Sequence, residues 1–281
     1  MKNRTISSAG AAMTPPGSNE FRAAHVSSAA VGADIDPIIG VDHFEMRAPT
    51  FAPHPHAGFS AVTYLFEDSE GEFLNRDSLG DRIVAKPGSV IWTVAGSGIL
   101  HEEYPVVRGK LAHGLQIFVN LPAAEKLQAP RLLFVDGPAV PVRALSGAQV
   151  RVVTGTSGDV RALEVPGDFT LLDVQLEPGA SFEEDFSADR SVLAYVVKGS
   201  AFIGGEKLRV GVREAASLSD GRGAVLLRAT SEGAQVVLLA GRPLREPVVS
   251  HGPFIMNNKQ QIASAIERYR SGRMGQLESS T

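Results

Sequence analysis

Two short motifs contain the residues of this sequence that are best suited to metal chemistry. His54 and His56 lie one residue apart in HPHAGF, and His101 and Glu103 have the same spacing in ILHEEY. In an extended strand, residues i and i+2 point to the same face, so each pair can present both side chains to one point. Three imidazoles and one carboxylate suit Fe(II), Mn(II), Ni(II), Cu(II) or Zn(II). The spacing therefore predicts one mononuclear site with positions open for substrate and dioxygen.

Each pair also has an ordinary structural interpretation. A histidine pair beside Pro53 and Pro55 is often solvated loop sequence, and His101 with Glu103 can form a hydrogen-bonded pair at a strand end. Glu102 is an alternative acid, although alternation along a strand would point it away from His101. A second pair with the same spacing favours the metal-site interpretation.

The segments around these pairs have the pattern of short β-strands. The chain contains 29 Gly and 17 Pro, which separate apolar runs of strand length such as 60–66, 89–95 and 115–121. This pattern predicts an all-β sandwich or barrel. Phe59, Trp92 and Phe118 lie in or beside these strands, where they could line a substrate cavity or belong to the ordinary core.

The second half of the chain repeats this pattern of short apolar runs separated by Gly and Pro. Residues 61–73 resemble residues 191–205, with Tyr64 and Tyr195 in matching positions, while Asp185 and Ser187 occupy the places of the two HPH histidines. We therefore predict two domains, of which only the first binds metal. The domains are expected at residues 1–135, with a loose lead-in over 1–30, and at residues 136–281, joined through the Pro- and Gly-rich stretch 128–147.

The end of the chain changes from a strand pattern to a helical one. Ile262, Ile266 and Tyr269 recur at helical spacing, and Asn258 followed by Gln261 resembles a capping box. The pattern predicts a helix over about 258–271 that ends before Gly272. Its basic residues are expected on a solvated outer surface; they are Lys259, Arg268, Arg270 and Arg273.

Composition limits the classes of partner that we expect. The chain has 27 basic and 31 acidic residues, giving a net charge of −4, without the basic clusters typical of nucleic-acid binding. It has no cysteine and no apolar run of the length of a signal peptide or a membrane span. We expect a cytoplasmic, monomeric protein that acts on a small molecule and does not bind nucleic acid or membranes directly.

Four motifs occur in an order that is typical of a known family. They are HPHAGF at 54–59, DSLG at 77–80, AGSGILHEE at 95–103 and GPFIMN at 252–257. With these motifs the sequence strongly resembles the pirin family of the cupin superfamily over residues 37–276. The resemblance implies a bicupin, two tandem β-sandwich barrels of the double-stranded β-helix type, with a short C-terminal α-helix. It implies one metal, usually Fe(II), in the N-terminal barrel, with His54, His56, His101 and Glu103 as ligands.

The family resemblance implies two kinds of function. Several members are similar to quercetin 2,3-dioxygenases, which open a flavonol ring with dioxygen and release carbon monoxide, and Glu103 would then act as ligand, as base, or as both. Other members are described as regulatory partners of transcription factors or metabolic enzymes. An isomerase or hydrolase that uses Zn(II) on the same ligands is a third alternative.

Three positions depart from the family pattern, and three further histidines are not expected to bind metal. Ala57 and Ser60 stand where an arginine and a glutamate are usual, and Asn75 stands where many members have histidine. We expect all three near the site, where they would alter the local field and the shape of the pocket mouth. Structural hydrogen bonds are expected of the histidines outside the motifs, which are His43, His113 and His251.

Overall fold

The computed structural model describes residues 3–204, 208–218 and 223–278. These residues form mainly β-strands, with two helices, so the predicted all-β class is confirmed. Neither helix in this part of the chain is long and apolar enough to span a membrane.

The strands of the first half of the chain are numbered in chain order. They are β1 Ile6–Ala11, β2 Phe21–Val26, β3 Ile38–Met46, β4 His54–His56, β5 Phe59–Leu65, β6 Phe73–Asp77, β7 Arg82–Ala85, β8 Val90–Val94, β9 Ile99–Pro105, β10 Ala112–Asn120 and β11 Arg131–Val135. Helix α1 spans Ser28–Val31.

The second half continues in the same way. Its strands are β12 Val142–Leu145, β13 Ala148–Thr154, β14 Thr156–Ser157, β15 Val160–Arg161, β16 Thr170–Leu176, β17 Ser181–Phe186, β18 Ser191–Ile203, β19 Arg209–Gly211, β20 Glu214–Leu218, β21 Gly223–Gly241, β22 Val249–His251 and β23 Phe254–Met256. Helix α2 spans Lys259–Arg270.

The described chain divides into two compact units. The N-terminal barrel contains residues 14–24, 40–139 and 244–278, and the C-terminal barrel contains residues 3–13, 25–39 and 140–243 outside the gaps given above. This division differs from the expected boundary at residue 135, because each end of the chain belongs with the barrel that is more distant in sequence. Sequence contiguity alone could not reveal that exchange.

The N-terminal barrel is built from two sheets. One has the strand order β11-β8-β5-β10-β3-β2, and the other has the order β4-β9-β6-β7. Apolar side chains from both sheets pack into one core between them. This core consists of Phe44, Met46, Leu65, Phe73, Ala85, Ile91 and Ala112. The packing fixes the two sheets relative to each other and leaves one end of the barrel interior for the polar residues described below.

The C-terminal barrel contains one large sheet with the order β1-β20-β18-β21-β16-β13-β12. In addition, β17 pairs with one half of β21, and β19 pairs with β18. Strand β21 changes partner near Gly233, which has a φ of +74°. Glycine adopts this backbone conformation without steric cost. The long strands can therefore bend around an apolar interior.

Two expectations about chain segments are corrected by the structure. Residues 1–30 were expected to form a loose lead-in, but among those described, β1, β2 and α1 are ordered elements. The Ser- and Ala-rich β1 lacks a strong apolar alternation, and its order comes from backbone pairing with β20. The expected linker at 128–147 contains β11 and β12, which pair with β8 and β13.

The predicted C-terminal helix is confirmed. The Asn258 side chain accepts a hydrogen bond from the Gln261 backbone N–H at 2.9 Å, and the helix ends at Arg270. Lys259, Arg270 and Arg273 are exposed, as expected for a solvated face. Arg268 is half-buried and donates from Nε to the Ser97 carbonyl at 2.9 Å, so it is a packing contact within the N-terminal barrel.

Candidate metal centre

Pairing between β4 and β9 brings the two sequence motifs together. His54 lies opposite His101 in this antiparallel pair, and His56 lies opposite Ile99. One potential ligand atom from each of His54, His56 and His101 lies within 4.8 Å of the others. Among the described residues, no other group of three or more His, Cys, Asp or Glu side chains approaches in this way. The structure therefore brings three of the four predicted ligands to one point.

The geometry of the three rings suits a shared divalent ion. Their centroids are 4.7 to 4.9 Å apart and their planes are inclined by 63° to 89°, so the rings converge without stacking. Nε2 of His54 lies 3.2 Å from Nε2 of His101. Two nitrogens that each lie about 2.1 Å from one metal at a right angle would be about 3.0 Å apart. The observed separation fits this arrangement.

Burial keeps the three imidazoles in the neutral form that binds metal. It lowers the pKa of His56 to about 3, with a further decrease from neighbouring His54. Burial also lowers the pKa of His101 well below its ordinary value, assisted by the other two histidines. Burial lowers the pKa of His54, whose Nδ1 lies 3.0 Å from the Ala52 carbonyl. Donation from Nδ1 leaves the Nε2 lone pair of His54 free for a metal.

Glu103 lies on the same face of β9 as His101, but other side chains hold it. Thr63 Oγ1 is 2.8 Å and 2.9 Å from the two carboxylate oxygens, and Asn75 Nδ2 donates to Oε1 at 3.0 Å. Glu103 is outside the close group formed by the three histidines. Burial raises the pKa of Glu103, while these two hydrogen bonds oppose the increase.

Thr63 connects Glu103 to a second polar residue, Gln116. The two residues are opposite each other in the β5–β10 pair, and Thr63 Oγ1 lies 2.9 Å from Gln116 Oε1. A threonine hydroxyl has one proton, so it cannot donate to both neighbours. With the Gln116 amide turned so that Nε2 faces Thr63, the glutamine donates to the threonine and the threonine donates to Glu103. This arrangement also gives the buried Nε2 atom a partner.

A cavity of about 290 Å³ opens beside the three histidines. This volume is near the lower end of the range for small-molecule sites, about 300 to 1,000 Å³. Aromatic and apolar side chains provide most of its wall. The lining consists of Phe21, Asp42, Phe44, Met46, Phe51, His54, His56, Phe73, His101, Glu103, Gln116 and Phe118. The arrangement can hold a flat, largely apolar molecule against the three histidines.

The predicted substrate residues occupy three different environments. Phe118 lines the cavity, and Phe59 packs behind the site with its ring centroid 5.1 Å from that of His56. Trp92 does not line the cavity, which corrects its predicted role. It pairs with Val62 on β5, and Val62 points to the sheet face opposite Thr63. Strand β8 is apolar on both faces, so the sequence could not show which face is internal.

The three residues that depart from the family pattern also lie in different environments. Only Asn75 contacts a predicted site residue, through Glu103. Ala57 is buried in an apolar cluster with Phe254 and Met256, and buried Ser60 lies on the sheet face opposite the cavity. The expectation that all three residues shape the pocket mouth is therefore corrected for Ala57 and Ser60.

The remaining predicted acids and histidines lie outside the centre. Glu102 pairs with Arg76, consistent with its expected direction away from His101. Structural hydrogen bonding is confirmed for two histidines, because His43 Nε2 is 2.7 Å from His113 Nε2. His113 Nδ1 is also 2.7 Å from an Asp68 carboxylate oxygen. His251 is exposed on β22.

Several cavity residues were not singled out from the sequence. Gln116 lies on the same face of β10 as Phe118, but the sequence pattern gave neither Gln116 nor Thr63 a role. The cross-strand position of Thr63 depends on a register that the sequence does not specify. The aromatic wall comes from separate segments, so its members share no local pattern; they include Phe21, Phe44, Phe51 and Phe73.

The chain is similar to a known protein family and to individual relatives. Residues 23–119 match the family model Pirin, and residues 171–275 match the model Pirin C-terminal cupin domain. The chain is 36% identical over 250 residues to a Pseudomonas aeruginosa protein provisionally named quercetin 2,3-dioxygenase, covering 84% of this chain and 86% of that protein. It is 33% identical over 246 residues to human pirin, covering 86% and 84% respectively.

Solved structures share the fold. Quercetin 2,3-dioxygenase from Acinetobacter baumannii superposes with a TM-score of 0.87 at 27% identity, covering 98% of this chain and all of that chain. A bacterial pirin from Escherichia coli, solved in complex with nickel(II), gives a TM-score of 0.66 at 24% identity, covering 85% of this chain and all of that chain. These similarities and the two family models confirm an arrangement of two cupin domains.

Proposed function

The chain belongs to the pirin family of cupin proteins, and we propose that it is a metal-dependent dioxygenase of the quercetin 2,3-dioxygenase type. The convergence of His54, His56 and His101 at one end of an aromatic cavity carries this proposal. The names of the P. aeruginosa and A. baumannii proteins support the same activity. The proposed substrate is a flavonol or a related enol-bearing phenolic.

Under this proposal, three neutral imidazoles hold the metal and Glu103 serves as a further ligand or as a base. The donor set suits Fe(II), Mn(II), Ni(II), Cu(II) or Zn(II), and Fe(II) is our proposed native metal. When bound, the metal would supply Lewis-acid and redox chemistry for the substrate enol and dioxygen. The ring is opened with dioxygen, and carbon monoxide is released.

Glu103 is suited to accept the proton of the substrate hydroxyl. Burial raises its pKa, which makes the carboxylate a stronger base than an exposed glutamate. Thr63 and Asn75 hold the carboxylate by hydrogen bonds and fix its orientation beside the cavity. Phe118 and the other aromatic residues of the wall would position a planar ring and exclude water.

The activity is tested with protein loaded anaerobically with Fe(II) and then given quercetin and dioxygen. We expect one dioxygen consumed for each flavonol lost, with carbon monoxide as a product, and no turnover by His101→Ala. Replacement of exposed His251 by alanine is the matched control and should retain activity. Absence of turnover with Fe, Mn, Ni and Cu in fully metallated protein would reject the quercetinase assignment and favour binding to a regulatory partner.

A further inference from the structure

A buried lysine lies directly behind the histidine motif. Lys126 is 0% exposed, and its ammonium group donates to the Gly58 carbonyl at 2.7 Å, the Asn120 side-chain oxygen, and the Ile255 carbonyl at 3.3 Å. Three acceptors match the three protons of an ammonium group. Burial lowers the pKa of Lys126 to about 8, partly opposed by Glu246, so it remains largely protonated at neutral pH. A buried charge with this many partners fixes the groups that it contacts.

The Lys126 contacts converge on the turn that follows His56. Gly58 has a φ of +87°, and a Cβ at this position would lie 1.9 Å from the Ile255 carbonyl oxygen. The backbone of the turn therefore packs directly against β23, and Lys126 bridges the two segments. A side chain at residue 58 would force them apart.

Backbone and apolar contacts reinforce this junction. Ala57 forms a parallel bridge with Phe254, and the Ile255 N–H donates to the Ala57 carbonyl at 3.0 Å. Ala57 also packs in an apolar cluster with residues of β23, α2 and the turn that follows α2. We call residues 253–274 the C-terminal clamp.

The C-terminal clamp also contacts the segments on either side of His101. Arg268 donates to the Ser97 carbonyl, in the turn that precedes β9. Ser78, after β6, donates to the Met274 carbonyl at 2.7 Å. The same Ser78 hydroxyl accepts from the backbone N–H of Leu100, the residue before His101, at 3.0 Å. One C-terminal segment thus contacts the chain beside both histidine motifs.

We infer that Lys126 and the C-terminal clamp are positioning elements that hold His54, His56 and His101 in metal-binding geometry. This inference rests on the metal centre of the proposed function and assigns a role to residues that do not line the cavity. Residues that orient metal ligands typically change metal affinity by about 10- to 100-fold when they are replaced. Lys126 acts on His56 through the Gly58 backbone, and Arg268 acts on His101 through the Ser97 turn.

The test uses the full chain and Ni(II) as the probe. Ni(II) affinity is measured by competition with a chelator for the wild type and for Lys126→Met, which removes the three donors and keeps an apolar stem of similar length. Lys110→Met is the matched control, because Lys110 is exposed. We expect about 10- to 100-fold weaker binding for Lys126→Met, as for other supporting residues of metal sites, and wild-type binding for Lys110→Met.

Spectroscopy separates positioning from a general loss of folding. The Cu(II) electron paramagnetic resonance spectrum should change in Lys126→Met and remain unchanged in Lys110→Met. Arg268→Met, which removes the donor to Ser97 and keeps an apolar stem, should weaken Ni(II) binding in the same direction and provides the test if Lys126→Met does not fold.

The outcomes distinguish this inference from the proposed metal centre. Wild-type Ni(II) affinity together with a wild-type Cu(II) spectrum in Lys126→Met, or in Arg268→Met if the first variant is unfolded, would overturn the positioning role alone. Failure of the wild-type protein to bind Ni(II) or Cu(II) would overturn both the metal centre and the role built on it.

Discussion

The two barrels share a strand pattern but differ in what their inner faces present. In the repeat that aligns Tyr64 with Tyr195, cavity-facing Thr63 corresponds to Ala194, which packs in the apolar core of the C-terminal barrel. The neighbours of Ala194 on that face, Val192 and Val196, are also core residues. A hydroxyl that orients Glu103 in one barrel is therefore replaced by a methyl group in the other.

This comparison shows how one architecture can serve two purposes. The N-terminal barrel buries His56, His101, Glu103 and Thr63 and half-buries His54. Burial of such polar groups is unfavourable unless they have partners. On the face of β18 that carries Ala194, the C-terminal barrel presents aliphatic side chains, whose burial stabilises the fold. The difference separates a candidate reaction site from a structural core.

The largest expected effect comes from making the first barrel resemble the second at its ligand positions. The double substitution His54→Asp and His56→Ser reproduces the residue types found at Asp185 and Ser187. We expect loss of stoichiometric metal binding, because only one imidazole of the centre remains. Metal content after loading with Fe(II) or Ni(II) measures this effect. Stoichiometric metal in the folded double variant would contradict the assigned ligands.

A substitution that creates a cavity in the core of the C-terminal barrel should lower the free energy of unfolding and leave metal binding unaltered. Leu238 is 0% exposed within its core, and Leu238→Ala should lower the free energy of unfolding by about 2 to 5 kcal/mol. Denaturant titration measures the loss, and chelator competition measures Ni(II) affinity in the folded variant. A marked change in affinity would show that the two barrels are energetically coupled.

The buried histidines should make the metal-free protein sensitive to acid. The ordinary histidine pKa is about 6.5, whereas that of folded His56 is about 3. Between these values the unfolded chain binds more protons at this residue, so stability falls as the pH decreases from about 6.5 toward 3. His54 and His101 contribute in the same direction, and the raised pKa of Glu103 acts in the opposite direction above its ordinary value.

Denaturant titration of chelator-treated protein at about pH 7.5 and about pH 5.5 measures this dependence, one unit on either side of the ordinary histidine pKa. The variant His56→Phe should show a weaker dependence on pH. An equal dependence in the variant and the wild type would exclude His56 as a source of the effect.

The smallest expected effect comes from Thr63, a polar inner position whose counterpart in the second repeat is Ala194. Thr63→Ala copies Ala194 and removes the hydroxyl that bonds Glu103, leaving Asn75 as its other partner. We expect turnover to fall at least about 10-fold, since a typical hydrogen bond to a charged group contributes about 1.5 to 3 kcal/mol. Thr63→Ser should retain activity, and steady-state kinetics compare the two variants. Equal impairment of both would contradict the role of the hydroxyl.

The sequence predicted the parts of the centre that depend on local spacing. The i, i+2 spacing places His54 and His56 on one face of β4, as in any strand, and the pairing of β4 with β9 places His101 beside them. The sequence could not assign Trp92 to a face, because the strand is apolar on both sides. It also could not predict that β23 would pack beside Ala57, since this contact joins segments almost 200 residues apart.

The most direct test of the account is a crystal structure of the Fe(II)-loaded protein, grown anaerobically, with anomalous data collected at the iron edge. The account predicts one strong peak in the N-terminal barrel, about 2.1 Å from a nitrogen of each of His54, His56 and His101. It predicts no peak beside Asp185 and Ser187. A fully loaded protein whose iron lies away from the three histidines would contradict the central claim.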